Sequence, residues 1–381
     1  MGPLTGVKVV ELVGLGPGPF AGMLLADMGA RVIRVDRVDA ARALDRSKPA
    51  TNAMNRGKRS IAVDLKHPEG PEVLLRLLEA ADAFFEVFRP GVAERLGIGP
   101  DDCLARNPRL VYGRLTGYGQ DGPYATKAGH DIDYIALAGA LEPLGRAGQP
   151  PTPPINVLGD FAGGGMLLAF GIACALVDAR SSGRGQVVDA AMVDGAALML
   201  TPFFGARASG FWGARGTNHL DTGAHFYDVY ETADGGFVAV GAIEPQFYAA
   251  LVAQLDVEGL NVELPPQWDK ERWPESKAAL AAVFRTRTRD EWCTAFEDID
   301  ACVAPVLSPL EAPAHPHATA RASFLHLNGV PQPAPAPRFS RTPAEVAGPP
   351  THAGDDTAAV LGDAGFVADE IARLSESGAI A

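Results

Sequence analysis

Cysteine is scarce in this 381-residue chain, aromatic residues make up only 7% of it, and 33 basic residues face 46 acidic ones. Each shortage closes off a class of protein. Cys103, Cys174, Cys293 and Cys302 form no C-x-x-C and no His/Cys ligand cluster. Disulfide scaffolds, zinc sites and thioredoxin-type motifs are thereby disfavoured, and a reducing, cytoplasmic setting is expected. A net charge of −13 argues against binding to nucleic acid or to an anionic membrane, both of which call for a basic footprint. Long apolar runs are missing too. The longest, Phe161–Val177, contains Gly163, Gly164, Gly165 and Gly171 and falls short of the roughly 18 residues of a spanning helix, so it is expected to be a buried helix. The N-terminus runs straight into a strand-like pattern without a basic-then-apolar signal layout.

What is present is 47% hydrophobic and 21% charged, an ordinary globular composition sufficient for two or three structural units. VKVVELV (7–13) is a continuous apolar run of the kind found in buried parallel strands. The turn GLGPGPF, the helix-like AGMLLADMGA and a second strand, RVIRVDR, follow it. This βαβ opening predicts a doubly wound α/β sheet. Further strands are expected at SIAVDL, AFFEVF, LVYGRLT and QVVDA, with helices at PEVLLRLLEAA and GDFAGGGMLLAFGIACALVDA. After about residue 225 the texture changes. FYDVYETADGGFVAVGA alternates about a D-G turn and predicts a hairpin, and helices follow at QFYAALVAQL and SKAALAAVFRTRTRDEWCTAFE. The expected organisation is a large Rossmann-like domain over 1–200, a linker over 201–224, a smaller α+β domain over 225–320, and a return to the large domain over 321–381. The proline-rich stretch 331–350 is expected to be extended and largely without structure.

Three features have both a structural and a functional reading. Gly14, Gly16 and Gly18, with Asp36 closing the second strand, mimic a dinucleotide fingerprint, yet Pro19 stands where its third glycine belongs; a tight strand-to-helix turn explains them equally. The segment 31–66 holds ten Lys or Arg against four Asp, a net +6 that suits either a solvated face or a phosphate site. His130 follows a glycine-rich loop, Asp160 precedes the long apolar helix, and Glu244 follows a strand. A structural histidine, a helix N-cap and another cap are the plain alternatives.

The motifs VVELVGLGPGPFAGMLLADMGARVIRVDR, NRGKRSIAVDLK, EVFRPGVAERLG, LTGYGQDGPY, AGHDIDYIALAGAL, GDFAGGGM, SGRGQVVDAAMVDG and VAVGAIEPQFY together resemble the α-methylacyl-CoA racemases of the family III CoA-transferase superfamily. The resemblance runs from residue 4 to at least 345. It implies a Rossmann-like large domain plus a smaller α+β domain, and an interlocked homodimer whose active sites are shared between subunits. It implies acid/base roles for His130 and Asp160, with Glu244 assisting the histidine from the partner subunit. It also implies an acyl-CoA site at Arg37, Ala62, Val63, Asp64, Leu65, Lys66, Val87, Phe88, Arg89, Arg95, Gly129, Asp131 and Tyr134. No metal, nicotinamide or flavin is expected.

Inverting a carbon α to a thioester takes a proton from one face and returns one to the other, and a histidine opposite a carboxylic acid suits that task. The scheme requires a raised pKa at Asp160, expected from burial. Backbone N–H groups at the start of the helix opening at Asp160 are expected to hold the enolate oxygen, and Gly163–Gly165 to admit the substrate closely. Sister enzymes of the superfamily transfer CoA between acids through an anhydride at the equivalent aspartate and typically lack the histidine of GHDI. That transfer reaction is the alternative reading. Met199, Phe203, Phe204, Phe211 and Trp212 suit an acyl-binding wall, core or a dimer contact alike.

Overall fold

The computed structural model describes residues 2–258 and 263–381. The strands expected from apolar runs form one parallel sheet: β1 (Lys8–Leu12), β2 (Arg31–Asp36), β3 (Arg59–Ala62), β4 (Ala83–Glu86), β5 (Val111–Thr116) and β6 (Val187–Ala191). Their order is β3-β2-β1-β4-β5-β6, so the direction of winding reverses between β1 and β4, the place where doubly wound sheets bind ligands. Apolar residues continue along each strand because both faces are covered. Val10, Leu12, Val35, Ile61, Phe84 and Tyr112 face one core, shared with helix Gly70–Leu78 and with Val360, Leu361 and Leu374 of the last two helices. Val7, Val9, Val32, Phe85 and Val111 face the other, under helices Pro17–Asp27 and Leu167–Ser182. The chain end closes on β3 through Ala381 N–H to the Ala62 carbonyl (3.2 Å).

By their contacts the residues form two compact units. One comprises the chain up to Ala138, Ile155–Met199 and Ala320–Ala381; the other comprises Gly139–Pro154 and Leu200–Thr319. The second unit therefore holds 139–154, which the sequence reading left in the large domain, and 201–224, read there as a linker. Arg146 pairs with Asp228 through two hydrogen bonds (3.0 and 2.8 Å), and Arg215 donates to the carbonyls of Glu142 and Gln149 (both 2.8 Å). Its sheet is antiparallel, β7 (Tyr227–Glu231), β8 (Phe237–Gly241) and β9 (Val303–Pro305), over a core that includes Leu251, Leu280, Phe284 and Trp292. The helix expected over 276–297 is two helices, Trp273–Phe284 and Arg289–Ala295. Thr288 caps the second in a capping box with Glu291.

Two other expectations change. Residues 331–333 are not featureless: β10 (Phe324–Leu327) and β11 (Val330–Pro333) form a hairpin in the first unit. Asn328 (φ 50°) and Gly329 (φ 76°) supply its tight turn. The apolar segment is a 26-residue helical run, Val157–Ser182, long and apolar enough to cross a membrane by length and composition. Leu168, Ile172 and Leu176 are buried against the sheet, as expected of a buried helix, while Phe170 and Val177 on its other side are exposed.

The basic segment 31–66 is mostly compensated within the fold. Arg34 pairs with Asp36, Arg56 with Asp27, Lys58 with Glu11, Arg46 with Asp355, and Arg59 with Asp356 and Asp363. Deepest is Lys58 Nζ, 2.5 Å from Glu11 Oε2 and 2.9 Å from the Pro19 carbonyl, with both ionic side chains fully buried. A Cβ at position 22 would collide with Glu11 Oε2, so Gly22 lets the first helix lie over the pair. Removing one member leaves the other charge buried alone. Lys58→Met is expected to destabilise the fold by about 3–5 kcal/mol, whereas Glu11→Leu combined with it recovers most of that loss. Urea unfolding of the three variants checks this.

Candidate active site

Two cavities open at the carboxyl edge of the parallel sheet, and both use the turn after β4. The first, about 1050 Å³, is lined by Arg37, Val63, Asp64, Leu65, Lys66, Phe88 and Arg95, all expected from the sequence, and by Arg42, which was not. The second, about 620 Å³, is lined by Val87, Phe88, Arg89, Gly129, His130, Tyr134 and Asp160, with Leu15–Pro17, Lys127, Asn156 and Met192. Phe88 is a wall of both. Three expected residues, Ala62, Asp131 and Glu244, line neither. Ala62 is fully buried within β3, and the Asp131 side chain is turned inward onto backbone. Glu244 lies in the second unit, exposed, at the N-cap position of helix Pro245–Val257, and its side chain makes no cap bond there.

The turn shared by the cavities is fastened from beneath. Glu86, at the end of β4, accepts the Phe88 N–H (2.5 Å) through one oxygen and pairs with Arg114 (3.1 Å) through the other. Burial pushes its carboxyl up to about 7. Val87 in turn occupies the space above the glycine turn: a Cβ at Gly14 or Gly18 would run into its side chain. The spacing that mimics a dinucleotide fingerprint thus serves a protein contact. Gly16 is the member with positive φ (62°), and a Cβ built on it lies 3.7 Å from Asp160 Oδ2, which puts this turn beside the aspartate.

His130 precedes helix Asp131–Leu137, its N–H bound to Asp133 Oδ2 (2.9 Å), and its side chain is exposed. The ring of Tyr134 backs the loop, its hydroxyl donating to the Gly129 carbonyl. Asp160 is not an N-cap. It sits inside a widened, π-type helical segment, Val157–Met166, that continues into helix Leu167–Ser182, a geometry frequent at functional sites. Its carboxyl is raised above the ordinary range, chiefly by burial and further by the Asp131 charge. The Asn156 amide (3.1 Å) and His130 act against this. Asn156 escaped the sequence reading, although four residues before Asp160 is a spacing that places two side chains side by side on a helical turn.

Two expectations about this turn are corrected. The N–H groups of Gly159 and Asp160 are not available to an enolate, because both donate to Asp131 Oδ2 at 2.7 Å. The glycines 163–165 admit protein rather than substrate. A Cβ at Gly163 would meet the backbone of Gly195 and Ala196, one at Gly164 the Met192 side chain, and one at Gly165 the Pro17 carbonyl. In the second unit, Phe203 packs against Trp212 (4.8 Å) while Phe204 and Phe211 stay exposed.

The first cavity suits an anion. Arg37, Arg42, Lys66 and Arg95 line it, and of its three carboxylates Asp36 is already matched by Arg34 and Ser60. Arg37 forms a two-pronged bond with Asp39 (3.0 and 2.6 Å). Both side chains are largely exposed and the pair is hence weakly held, so a bound phosphate can compete for the guanidinium. No group of three His, Cys, Asp or Glu able to hold a metal occurs among the described residues.

Fold and site together define an α/β protein in which a histidine and a carboxyl group share one cavity, beside a second cavity lined by cationic side chains, at the sheet's switch point. The family profile described as "CoA-transferase family III" matches residues 4–357, and the chain belongs to that family. Alpha-methylacyl-CoA racemase of Mus musculus is 48% identical over 375 residues, 97% of this chain and 96% of that one. The Homo sapiens protein of the same name is 46% identical over 98% of this chain and 96% of its own length. The crystal structure of a CAIB/BAIF family protein from Brucella suis superposes with a TM-score of 0.80 at 27% identity, over 95% of this chain and 99% of that one.

The Asn156 bond favours the ionised form of Asp160. Asn156→Ala is therefore expected to move the Asp160 pKa further upward, observable by carboxyl-carbon NMR titration; an unchanged or lowered value contradicts this geometry.

Proposed function

We propose that this protein interconverts the (R) and (S) forms of 2-methylacyl-CoA thioesters by proton transfer between two groups, His130 and Asp160. The observation that carries the reading is that both side chains line one cavity, adjoining a second, cationic one suited to the CoA phosphates. The similarity in sequence to racemases over nearly the whole chain supports it. Neutral His130 takes the C2 proton of one enantiomer, electrons shift onto the thioester oxygen, and protonated Asp160 delivers a proton to the opposite face. The reverse reaction exchanges the roles. Burial equips Asp160 for this by favouring its protonated form. Catalysis by these groups needs no metal, nicotinamide or flavin. The CoA moiety is assigned to Arg37, Val63–Lys66, Phe88 and Arg95, where guanidinium and ammonium groups can bind its phosphates.

The active form is read as an interlocked homodimer, in which Glu244 of one subunit orients His130 of the other. The exposed Phe170 and Val177 on helix Leu167–Ser182 support a covered face there, and the exposure of Glu244 agrees with a role outside its own unit. Four cysteines free of disulfides suit the cytoplasm, and the substrate class places the reaction in fatty-acid and lipid metabolism. The alternative, CoA transfer between acids through an Asp160 anhydride, gives His130 no task.

Deuterium from D2O is expected at C2 of a 2-methylacyl-CoA without any acceptor acid; turnover that requires an acceptor supports transfer instead. His130→Ala and Asp160→Ala should each lower racemisation by about 10²–10⁴-fold. When both groups are protonated neither can accept a proton, so the rate falls as pH drops through the Asp160 pKa. Because that pKa is raised, the acid limb of kcat/KM should lie above the ordinary carboxylate range. Arg37→Ala should raise KM and leave kcat nearly unchanged; an unaltered KM removes Arg37 from the CoA site.

A further inference from the structure

The residue after His130 has no place in the scheme above, yet its side chain is buried and bonded to a distant part of the chain. Asp131 is 4% exposed. One oxygen, Oδ2, accepts the N–H groups of both Gly159 and Asp160 at 2.7 Å, across 28 and 29 residues of sequence. A side chain at position 159 would press on this oxygen, since a Cβ there would lie 2.9 Å from it. The other oxygen, Oδ1, is buried without a hydrogen-bond partner. A buried carboxylate with a free oxygen is unfavourable unless its position does something the fold requires. Here it joins the element that begins with His130 to the helical turn that carries Asp160.

We propose that Asp131 is a positioning residue of the racemisation, its carboxylate clamping the Asp160 turn to the base of the His130 helix so that the two proton carriers keep a fixed separation. The assignment rests on the racemase reading. Such a clamp matters because proton transfer on opposite faces of one carbon tolerates little displacement of either partner. The carboxylate also acts electrostatically, since its charge favours the protonated form of Asp160. The other titratable or charged groups about Asp160 are His130 and Tyr134 on the same element, with Arg89 and Lys127 on the cavity wall. The Leu15–Pro17 turn and Met192 bring no charge there.

Asp131→Ala and Asp131→Asn are compared with the wild type in D2O, starting from one enantiomer of a 2-methylacyl-CoA and following deuterium content and configuration at C2 together. In the alanine variant the enolate is more often reprotonated by the group that formed it. Deuterated substrate of retained configuration should therefore rise against inverted product by roughly tenfold or more, with kcat lowered and KM little changed. Asparagine keeps an oxygen for the two N–H groups, so its ratio should stay within about twofold of wild type. Having lost the charge, it should move the acid limb of kcat/KM to lower pH. A folded alanine variant with an unchanged ratio overturns the clamp. If the alanine variant does not fold, Gly159→Ala, whose Cβ presses on Asp131 Oδ2, takes its place, and an unchanged ratio there overturns the clamp. Wild-type protein that takes up no deuterium at C2 overturns the racemase reading itself.

Discussion

A carboxylate withdrawn from water must be met by a cation or by N–H groups, and this single requirement ties the working edge of the sheet together. Buried carboxylates stand at or near the ends of three strands. Glu11 on β1 takes the ammonium of Lys58, which also holds the Pro19 carbonyl of the first helix. Asp36 on β2 takes Arg34 and the Ser60 hydroxyl of β3, and that hydroxyl oxygen accepts the Gly354 N–H from the returning chain end. Glu86 on β4 takes the Phe88 N–H and Arg114. Asp131, after β5, fastens the turn that carries Asp160. Loops at a sheet edge are usually its most mobile part. Here the turn after β4 and the turn that carries Asp160, both cavity walls, are fastened from inside by buried carboxylates.

The same rule explains what was and was not legible in the sequence. Strands covered on both faces are rich in apolar residues, so β1, β2 and β4 stand out despite the charged residues they carry, and the sheet class follows from their alternation with helices. Charge does not declare its partner in this way. The +6 excess of 31–66 resembled an anion site because its matching carboxylates lie elsewhere in the chain: Asp27 is 29 residues before Arg56, and Asp355 is 309 residues after Arg46. Of the ten basic residues in that segment, only Arg37, Arg42 and Lys66 line the cationic cavity. The hairpin at Asn328-Gly329 was overlooked for a related reason. Pro331 and Pro333 argue against a central strand, but a two-stranded ribbon leaves one edge of each strand unpaired and tolerates them.

Glycines were the least readable residues. Gly14, Gly18 and Gly163–Gly165 look in sequence like openings for a ligand, yet each makes room for a neighbouring part of the protein: Val87, Gly195, Met192 or Pro17. A glycine shows that something comes close without showing what. The reverse held for His130 and Asp160. Motif resemblance marked them, while spacing alone does not separate them from Asp131, Asp133, Asp189 or Asp194. Three-dimensional placement draws the distinction: Asp131 faces inward onto backbone, Asp189 accepts the Gln120 N–H, and Asp160 lines a cavity with His130.

With Phe88 between the cationic cavity and the one that holds His130 and Asp160, the proposed racemisation carries a mechanistic consequence. An acyl-CoA offers most of its binding surface far from its reacting carbon, and contacts made there are the same in ground and transition states. They raise kcat only if they also fix the reacting end in place. The turn after β4 provides that link. Phe88 walls both cavities, its N–H is fixed by Glu86, and Val87, one residue away, packs into the glycine turn that reaches Asp160. Binding at the cationic cavity therefore draws on the same rigid segment that shapes the space in front of His130 and Asp160. On the proposed reading, a flexible connection between the cavities would hold the CoA moiety and leave C2 free to wander, and the bonds of Glu86 beneath the turn oppose this.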